Sequence, residues 1–216
     1  MNRIDVINSI IKEFGMKRYL EIGVRNTEDC FDKINCKVKH SVDPGLEAKV
    51  NNATYKFTSD DFFFPLNNKK LDLPSHYKWD VIFIDGLHLA YQVERDVNNA
   101  LDHLNPGGVI VMHDCNPFLF DQNPARVIED YWGQAWNGTV WKVMHKIVST
   151  RPDLIACTLD IDEGVGIVIP GASKTATLVP NNYFYEYKTL LENTKRDLNL
   201  INHNELIDWL KLNIQE

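Results

Sequence analysis

Acidic side chains follow the ends of five strand-like segments in the first half of the chain. In chain order the polar residues at these ends are Glu21 with Gly23, Asp43, Ser59 with Asp60, Asp85 and Asp114. If the segments are neighbouring parallel strands, their carboxyl ends lie at one edge of a sheet, where open α/β sheets bind their ligands. The pattern therefore predicts a cleft lined with carboxylates and backbone amides, with a ligand lying across the edge of the sheet.

Strand-like and helix-like segments alternate along the chain, as βαβ units require. The predicted strands are 18–22, 37–43, 54–59, 79–85 and 108–114, and an amphipathic helix spans 91–104. Two further helices are expected over 124–132 and 139–149, followed by a hairpin of 154–161 with 164–171 and a helical tail from residue 183. These elements predict an α/β fold with a doubly wound, mostly parallel sheet.

The turn after the first strand contains a single glycine, Gly23. A dinucleotide fingerprint has three glycines, spaced GxGxxG, so that the backbone can approach a pyrophosphate. Asp43 follows Glu21 by 22 residues, about where an acidic residue binds ribose hydroxyls in such folds. The two features favour a ligand that carries a ribose and lacks a pyrophosphate over NAD. The alternative is that Gly23 only forms a tight turn and Asp43 only begins the turn at Pro44.

The balance of charge argues against polyanionic partners. The 216 residues include 30 Asp and Glu against 23 Lys and Arg, which gives a formal net charge of -7. Such a chain is poorly suited to binding nucleic acid or an anionic membrane surface. The apolar runs have only strand length, and the N-terminal segment lacks the apolar core of a signal peptide. We expect a cytoplasmic protein with no nucleic-acid or membrane partner. The sequence leaves open whether the protein forms a homo-oligomer.

Four segments together resemble a known enzyme family. LEIGVRNT, SVDP, the DGLHLAYQVERD run and LNPGGVIVMHDCNP resemble the class I S-adenosylmethionine-dependent methyltransferases. The more specific resemblance, over roughly residues 15–120, is to the branch of bacterial small-molecule and sugar O-methyltransferases. It implies a Rossmann-like, seven-stranded sheet with an antiparallel C-terminal hairpin. Because no linker divides the chain, we expect a methyltransferase domain over 1–171, with 172–216 as its helical C-terminal extension.

The resemblance implies a role for each residue at the strand ends. Gly23 would pass beneath the methionine part of S-adenosylmethionine, with Glu21 near its amino-acid end. Asp43 would hold the ribose hydroxyls, and Asp60, after Ser59, would approach the adenine amino group. Asp85 is expected to contribute to cofactor binding and to catalysis.

The resemblance also implies a metal site and a general base. Asp85 and Asp114 match the metal ligands of the magnesium-dependent members, and His88 matches the general base of some of them. Neighbouring strands lie about 4.8 Å apart, so carboxylates at two adjacent strand ends can converge on Mg²⁺. The alternative for His88 is a residue at a helix start that caps the helix or faces solvent.

The end of the fifth strand departs from the metal-dependent pattern. Those members often have two adjacent acidic or amide residues there, whereas this chain has His113-Asp114-Cys115-Asn116. A second ligand is therefore missing, or it comes from Asn116, His113 or another residue. We expect His113 to be structural, because side chains alternate along a strand and Asp114 takes the cleft-facing position.

The sequence thus predicts a methyltransferase that uses S-adenosylmethionine and acts on a hydroxyl of a small metabolite or sugar. Whether the enzyme also needs Mg²⁺ is left open at this stage. One alternative is a non-catalytic nucleotide-binding protein on the same fold, and a weaker one is an NAD-linked oxidoreductase.

Several aromatic residues either line the acceptor pocket or pack the last helices on the sheet. They are Phe118, Phe120, Tyr131, Trp132, Trp136 and Trp141.

Overall fold

Seven strands form one mixed sheet in the order β2-β1-β3-β4-β6-β5-β7. The structure is a computed structural model that describes residues 1–66, 71–118, 136–173 and 182–214. The strands are β1 (Arg18–Ile22), β2 (Val38–Val42), β3 (Trp79–Ile84), β4 (Leu104–Met112), β5 (Leu154–Leu159), β6 (Val165–Pro170) and β7 (Leu200–Ile201). The helices are α1 (Arg3–Glu13), α2 (Ser59–Leu66), α3 (Ala90–Asp102), α4 (Val140–Thr150), α5 (Tyr187–Asp197) and α6 (Leu206–Asn213). This arrangement confirms the predicted Rossmann-like α/β fold.

Two compact units divide these elements between them. The first comprises residues 1–87 and 94–111, and the second comprises residues 88–93 and 112–216. The predicted boundary between residues 171 and 172 stays a prediction. Within the part of the chain that the structure describes, no helix combines the length and the apolar character needed to cross a membrane.

The first unit holds three parallel strands with their carboxyl ends at a common edge. β1 pairs in parallel with β2 on one side and with β3 on the other. The residues of β3 are buried almost throughout, as expected for a central strand with helices on both faces. The edge carries Gly23, Asp43 and Asp85 directly after the three strands, as the sequence predicts.

The segment 54–59 is not a full strand, contrary to the prediction. It makes one isolated parallel bridge, between Tyr55 and Val42, and α2 then begins at Ser59. The Thr58 hydroxyl accepts a hydrogen bond from the backbone N–H of Asp61 at 3.1 Å and donates to the Asp61 carboxylate at 2.8 Å. This reciprocal pattern is a helix N-cap, which competes with strand pairing.

The second unit contains the predicted terminal hairpin. β5 and β6 pair antiparallel from Leu154 with Pro170 to Leu159 with Val165. The seventh strand of the sheet comes from the tail, where β7 pairs in parallel with β5. The described residues of the tail also form α5 and α6, which confirms the predicted helical tail.

Candidate active site

Gly23 occupies a turn that only glycine can form. Its φ is +91°, and a Cβ atom at this position would overlap the backbone carbonyl of Asp85. Its N–H donates to the carbonyl of Val42 at 2.9 Å, and the Asp85 N–H donates to the carbonyl of Ile22 at 2.8 Å. The ends of the three strands are therefore tied together through their backbones, and at Gly23 the main chain is not covered by a side chain of its own.

Asp43 organises the backbone beside that turn. One carboxylate oxygen accepts from the Val24 N–H at 2.8 Å, and the other accepts from the Gly45 N–H at 2.6 Å. Each oxygen keeps a second acceptor position, because a carboxylate has about four lone-pair sites. The residue can therefore hold the turn and still accept hydrogen bonds from two hydroxyls, such as those of a ribose.

Glu21 is a buried carboxyl group inside the first unit. The Tyr19 hydroxyl donates to it at 2.6 Å. Burial raises the pKa of Glu21 to about 8, while the hydrogen bond from Tyr19 opposes the shift and the charge of Asp85 adds to it. Arg3 lies 3.7 Å from the Asp85 carboxylate. A cationic group bound near Glu21 would favour its charged form, which suits the amino-acid end of the predicted cofactor.

Ser59 and Asp60 lie in the first turn of α2 rather than at a strand end. The Asp60 carboxylate forms a 3.0 Å ion pair with Arg95, and both side chains are about half exposed. The predicted contact of Asp60 with adenine stays a prediction.

Asp114 is the centre of a polar cluster in the second unit. Its backbone is left-handed, with φ +60°, and its side chain is buried. One carboxylate oxygen lies 3.2 Å from Nδ1 of His88 and 3.2 Å from Nδ1 of His113. The other oxygen accepts a short hydrogen bond from the side-chain amide of Asn137. Left-handed backbone at a non-glycine residue costs free energy and is often found at functional sites.

The surroundings of His88 fix which of its ring nitrogens carries the proton. Nδ1 lies 2.7 Å from the backbone carbonyl of Trp136 as well as 3.2 Å from Asp114. Both of these groups are acceptors, so Nδ1 must be the donor and the neutral ring has its lone pair on Nε2. The indole of Trp136 stacks on the imidazole with ring centroids 5.1 Å apart.

The loop that carries His88 is held by a segment about fifty residues further along the chain. The Thr139 N–H donates to the His88 carbonyl at 2.8 Å, and the Thr139 hydroxyl accepts from the Ala90 N–H at 2.8 Å. Gly138 has φ +59°, and a Cβ atom there would overlap the His88 carbonyl. We call residues 136–139 the WNGT segment; its part in the site was not predicted, although its Asn-Gly pair is a recognisable turn signal.

The hairpin turn between β5 and β6 brings a further carboxylate to this cluster. Glu163 accepts from the Asn137 side-chain amide at 3.3 Å. The turn is docked through its backbone, since the N–H groups of Cys115 and Asn116 donate to the carbonyls of Gly164 and Glu163, each at 2.9 Å. The sequence predicted the hairpin but not that its turn would contact Asn137.

The strand alternation used to place His113 does not extend to Asp114. β4 ends at Met112, and the left-handed backbone of Asp114 turns its carboxylate back toward the His113 ring. Nε2 of His113 lies 3.7 Å from Asp162. A structural role for His113 stays a prediction. The contacts that support it are those of its ring with the carboxylates of Asp114 and Asp162.

The predicted metal ligands Asp85 and Asp114 belong to different units, and their pairing stays a prediction. One oxygen of Asp114 accepts from the Asn137 amide, and the other lies 3.2 Å from Nδ1 of both His88 and His113. A cation bound there would compete with these nitrogen groups for the Asp114 oxygens. What the described cluster can do without one is hold a histidine in a fixed tautomer beside a buried carboxylate, which is a general-base arrangement.

Among the described aromatic residues that were considered for an acceptor pocket, Trp136 contacts the cluster, through its stacking on His88. Trp141 is buried in α4, and Phe118 is exposed. Phe120, Tyr131, Trp132 and the predicted helix over 124–132 lie outside the described residues.

Comparisons with known proteins agree with this fold. Residues 21–115 match a family described as methyltransferase domain, and no curated protein matches the chain. An O-methyltransferase from Bacillus cereus, in complex with SAH, is 15% identical, with a TM-score of 0.51 over 77% of this chain and 79% of that one. A Staphylococcus aureus protein assigned as a caffeoyl-CoA O-methyltransferase is 18% identical, with a TM-score of 0.51 over 78% and 82% of the chains.

The matched region runs from Glu21 to Cys115 and so contains Gly23, Asp43, Asp85, His88 and Asp114. The structural similarity covers most of the chain and has the same α/β architecture. Residues 21–115 therefore match a methyltransferase domain, and the chain has the same α/β fold as these two structures.

Proposed function

We propose that this protein transfers the methyl group of S-adenosylmethionine to a hydroxyl oxygen of a small molecule, with His88 as the general base. The observation that carries the proposal is the environment of His88. Two acceptors at Nδ1, the Trp136 carbonyl at 2.7 Å and Asp114 at 3.2 Å, direct the basic lone pair to Nε2. A hydroxyl is a poor nucleophile until a base takes its proton, so this nitrogen has the chemistry that O-methylation needs.

The first unit supports the cofactor part of the proposal. Gly23 leaves a turn of bare backbone, Asp43 offers acceptors for a pair of hydroxyls, and Glu21 is a buried carboxyl suited to an ammonium group. These three features fit the methionine and ribose parts of S-adenosylmethionine. When bound, this cofactor supplies an electrophilic methyl group on a sulfonium, and the protein supplies alignment.

The second unit supports the proton transfer. We infer that His88 would take the acceptor's hydroxyl proton at Nε2, so that an O–H bond breaks and an N–H bond forms. The oxygen would gain the methyl group as the bond from that carbon to the sulfonium sulfur breaks. The imidazolium that results carries a proton on each nitrogen, and the negative charge of Asp114 beside Nδ1 stabilises it. The other product is S-adenosylhomocysteine.

Oxygen is favoured over nitrogen or carbon as the accepting atom for two reasons. A nearby general base is more useful for a hydroxyl than for an amine, which is already nucleophilic when neutral. The two similar structures are also of an O-methyltransferase and of a protein assigned as one. The acceptor class that we propose is a small hydroxylated metabolite or sugar.

Use of Mg²⁺ through Asp85 and Asp114 is a separate proposal. Carboxylates are the ligands that Mg²⁺ prefers, and this chemistry supports it. We expect a Mg²⁺ titration of the wild-type protein to saturate, and the affinity to fall at least about tenfold in Asp85→Asn and in Asp114→Asn. Equal affinity in the three proteins would remove both residues as ligands.

Cofactor choice is tested by the thermal unfolding of the full chain with S-adenosylmethionine, S-adenosylhomocysteine, NAD and NADP. At a hundredfold excess over Kd, binding to the folded protein adds about 2.7 kcal/mol of stability. We expect stabilisation by the first two ligands only. If NAD stabilises the protein and S-adenosylhomocysteine does not, the proposal is overturned in favour of an oxidoreductase.

Turnover is tested with labelled S-adenosylmethionine and a panel of catechols, phenolic acids and free sugars. We expect at least one member to receive the methyl group on oxygen. Tight binding of S-adenosylhomocysteine with no transfer to any hydroxyl would instead favour a non-catalytic binding protein.

A further inference from the structure

Asn137 links the carboxylate beside His88 to the hairpin turn. Its side-chain amide donates to one oxygen of Asp114 and, at 3.3 Å, to Glu163. The other Asp114 oxygen is the one that faces His88. With one oxygen fixed by the amide, the plane of the carboxylate is set and the second oxygen is aimed at Nδ1.

Fixing the Asp114 carboxylate matters because its own backbone does little to restrain it. Asp114 follows the end of β4 and has a left-handed backbone, so no strand pairing at that residue sets the direction of its side chain. A carboxylate on a single torsion can turn its plane readily. The direction of the Asp114 oxygen toward His88 therefore depends on the donors around it.

The WNGT segment contacts both members of the pair at once. Trp136 accepts from His88 Nδ1 and Thr139 donates to the His88 carbonyl, while Asn137 donates to Asp114. One turn of the chain therefore sets the distance between imidazole and carboxylate. Displacements of about 1 Å in such a pair can cost about a hundredfold in rate.

An asparagine at position 137 does not maximise the stability of the folded protein. It is 1% exposed, and its carbonyl oxygen has no hydrogen-bond partner among the residues that the structure describes. A buried acceptor without a donor costs about 1–3 kcal/mol. An apolar residue of similar size would avoid this cost, so the benefit of the amide lies in what its donor end holds.

We propose that Asn137 is a positioning residue for methyl transfer, which acts on the base His88 by fixing the carboxylate of Asp114. The inference rests on the proposed function, because it requires His88 to take the proton. It assigns no contact with substrate or cofactor to Asn137.

The test is a double-mutant cycle on the full chain, measured as kcat at saturating S-adenosylmethionine with the member of the acceptor panel that turns over fastest. Asn137→Ala is expected to lower kcat about 10- to 100-fold and to leave the affinity for S-adenosylhomocysteine within about twofold. In the His88→Ala background the same substitution is expected to change kcat by less than about twofold, since the residue through which it acts is absent.

Asn182→Ala is the matched control, because Asn182 is another buried asparagine. Among the residues that the structure describes, its side chain bonds to the backbone N–H and carbonyl of Glu186, at 2.7 and 2.8 Å. We expect its kcat to stay within about twofold of wild type. Asn137→Asp, which keeps the shape and replaces the donor by an acceptor, is the second variant and should lose as much kcat as Asn137→Ala.

The outcomes separate the inference from the proposed function. If His88→Ala leaves kcat unchanged, the proposed function fails. If His88→Ala lowers kcat and Asn137→Ala has an equal effect in both backgrounds, only the role of Asn137 is overturned. A second readout needs no acceptor: the Nδ1–H signal of His88 in ¹H–¹⁵N spectra reports its contact with Asp114. We expect this signal to shift in Asn137→Ala while the proton stays on Nδ1, where the Trp136 carbonyl still accepts it. Identical spectra of the two proteins would contradict the inference.

Discussion

Nδ1 of His88 lies 3.2 Å from a carboxylate oxygen of Asp114. The pair is made by residues from two separate strand ends, and it gives the imidazole one defined tautomer and a neighbouring negative charge. This relationship, rather than either residue alone, is what makes the cluster suitable for removing a proton from a hydroxyl.

Asp114→Asn is expected to lower kcat about a hundredfold. An amide has a single acceptor oxygen, so it cannot accept from both His88 and Asn137, and it places an N–H group against one of them. The affinity for S-adenosylhomocysteine, measured by calorimetry, should change by less than about threefold. A kcat equal to that of wild type would show that the pair has no part in the reaction.

Gly23→Ala is expected to lower the free energy of unfolding by about 3 kcal/mol or more and to abolish binding of S-adenosylhomocysteine. The added Cβ would overlap the backbone of Asp85, in addition to the cost of φ +91°. Gly15→Ala is the matched control, because Gly15 has φ +62° but nothing within 4 Å of a Cβ atom. It should lose only about 1 kcal/mol. Equal losses in a urea titration of both variants would contradict this account of the turn.

Asp43→Asn is expected to weaken the binding of S-adenosylhomocysteine about tenfold. The amide can accept from either Val24 or Gly45 but not from both, so one backbone N–H loses its partner and the turn shifts. Asp208→Asn, at an exposed carboxylate on α6, serves as the control for the loss of one charge. Calorimetric titrations that show the same affinity for both variants would remove Asp43 from the cofactor site.

The raised pKa of Glu21 predicts how the free energy of unfolding depends on pH. Its pKa is raised to about 8 in the folded protein by burial, so between the pKa of an unfolded glutamate, about 4.5, and pH 8 the folded state binds more protons than the unfolded state. Stability contributed by this group is present below pH 4.5 and is lost as the pH rises to 8. The difference in unfolding free energy between Glu21→Gln and wild type should therefore grow in favour of the variant from pH 5 to pH 8.

Urea titrations at pH 5, 6, 7 and 8 measure that difference, with Glu28→Gln as the control at an exposed side chain. A difference that stays constant over this range would contradict the raised pKa of Glu21.

The sequence was sufficient to predict the parts of the site that depend on local pattern. Gly23, Asp43 and Asp85 follow hydrophobic strand segments, and the strands are parallel, so their placement at one edge follows from topology alone. The hairpin of β5 with β6 was also predictable, since two apolar runs flank a short polar turn. The segment 54–59 was wrongly predicted as a strand because its alternating pattern hid the helix cap formed by Thr58 and Asp61.

The partners of Asp114 and His88 were not predictable in the same way. Asn137 reaches Asp114 through tertiary packing from 23 residues along the chain, and Glu163 in turn contacts Asn137. No periodicity in the segments of these two residues predicts either contact. The tautomer of His88 depends on a backbone carbonyl, that of Trp136, which has no sequence signature at all. Sequence patterns predict helices and strands, whereas these contacts are made by the loops that connect them.

The central claim, that His88 takes the proton of an acceptor hydroxyl, is tested most directly by the rate of methyl transfer in His88→Ala. Product is measured with S-adenosylmethionine labelled in its methyl group, at saturating cofactor and with cofactor affinity determined in parallel. We predict that wild type forms an O-methyl product and that the variant binds the cofactor with unchanged affinity but turns over about 10²- to 10⁴-fold more slowly. Unchanged turnover in the variant, or a product methylated on nitrogen or carbon, would contradict the claim.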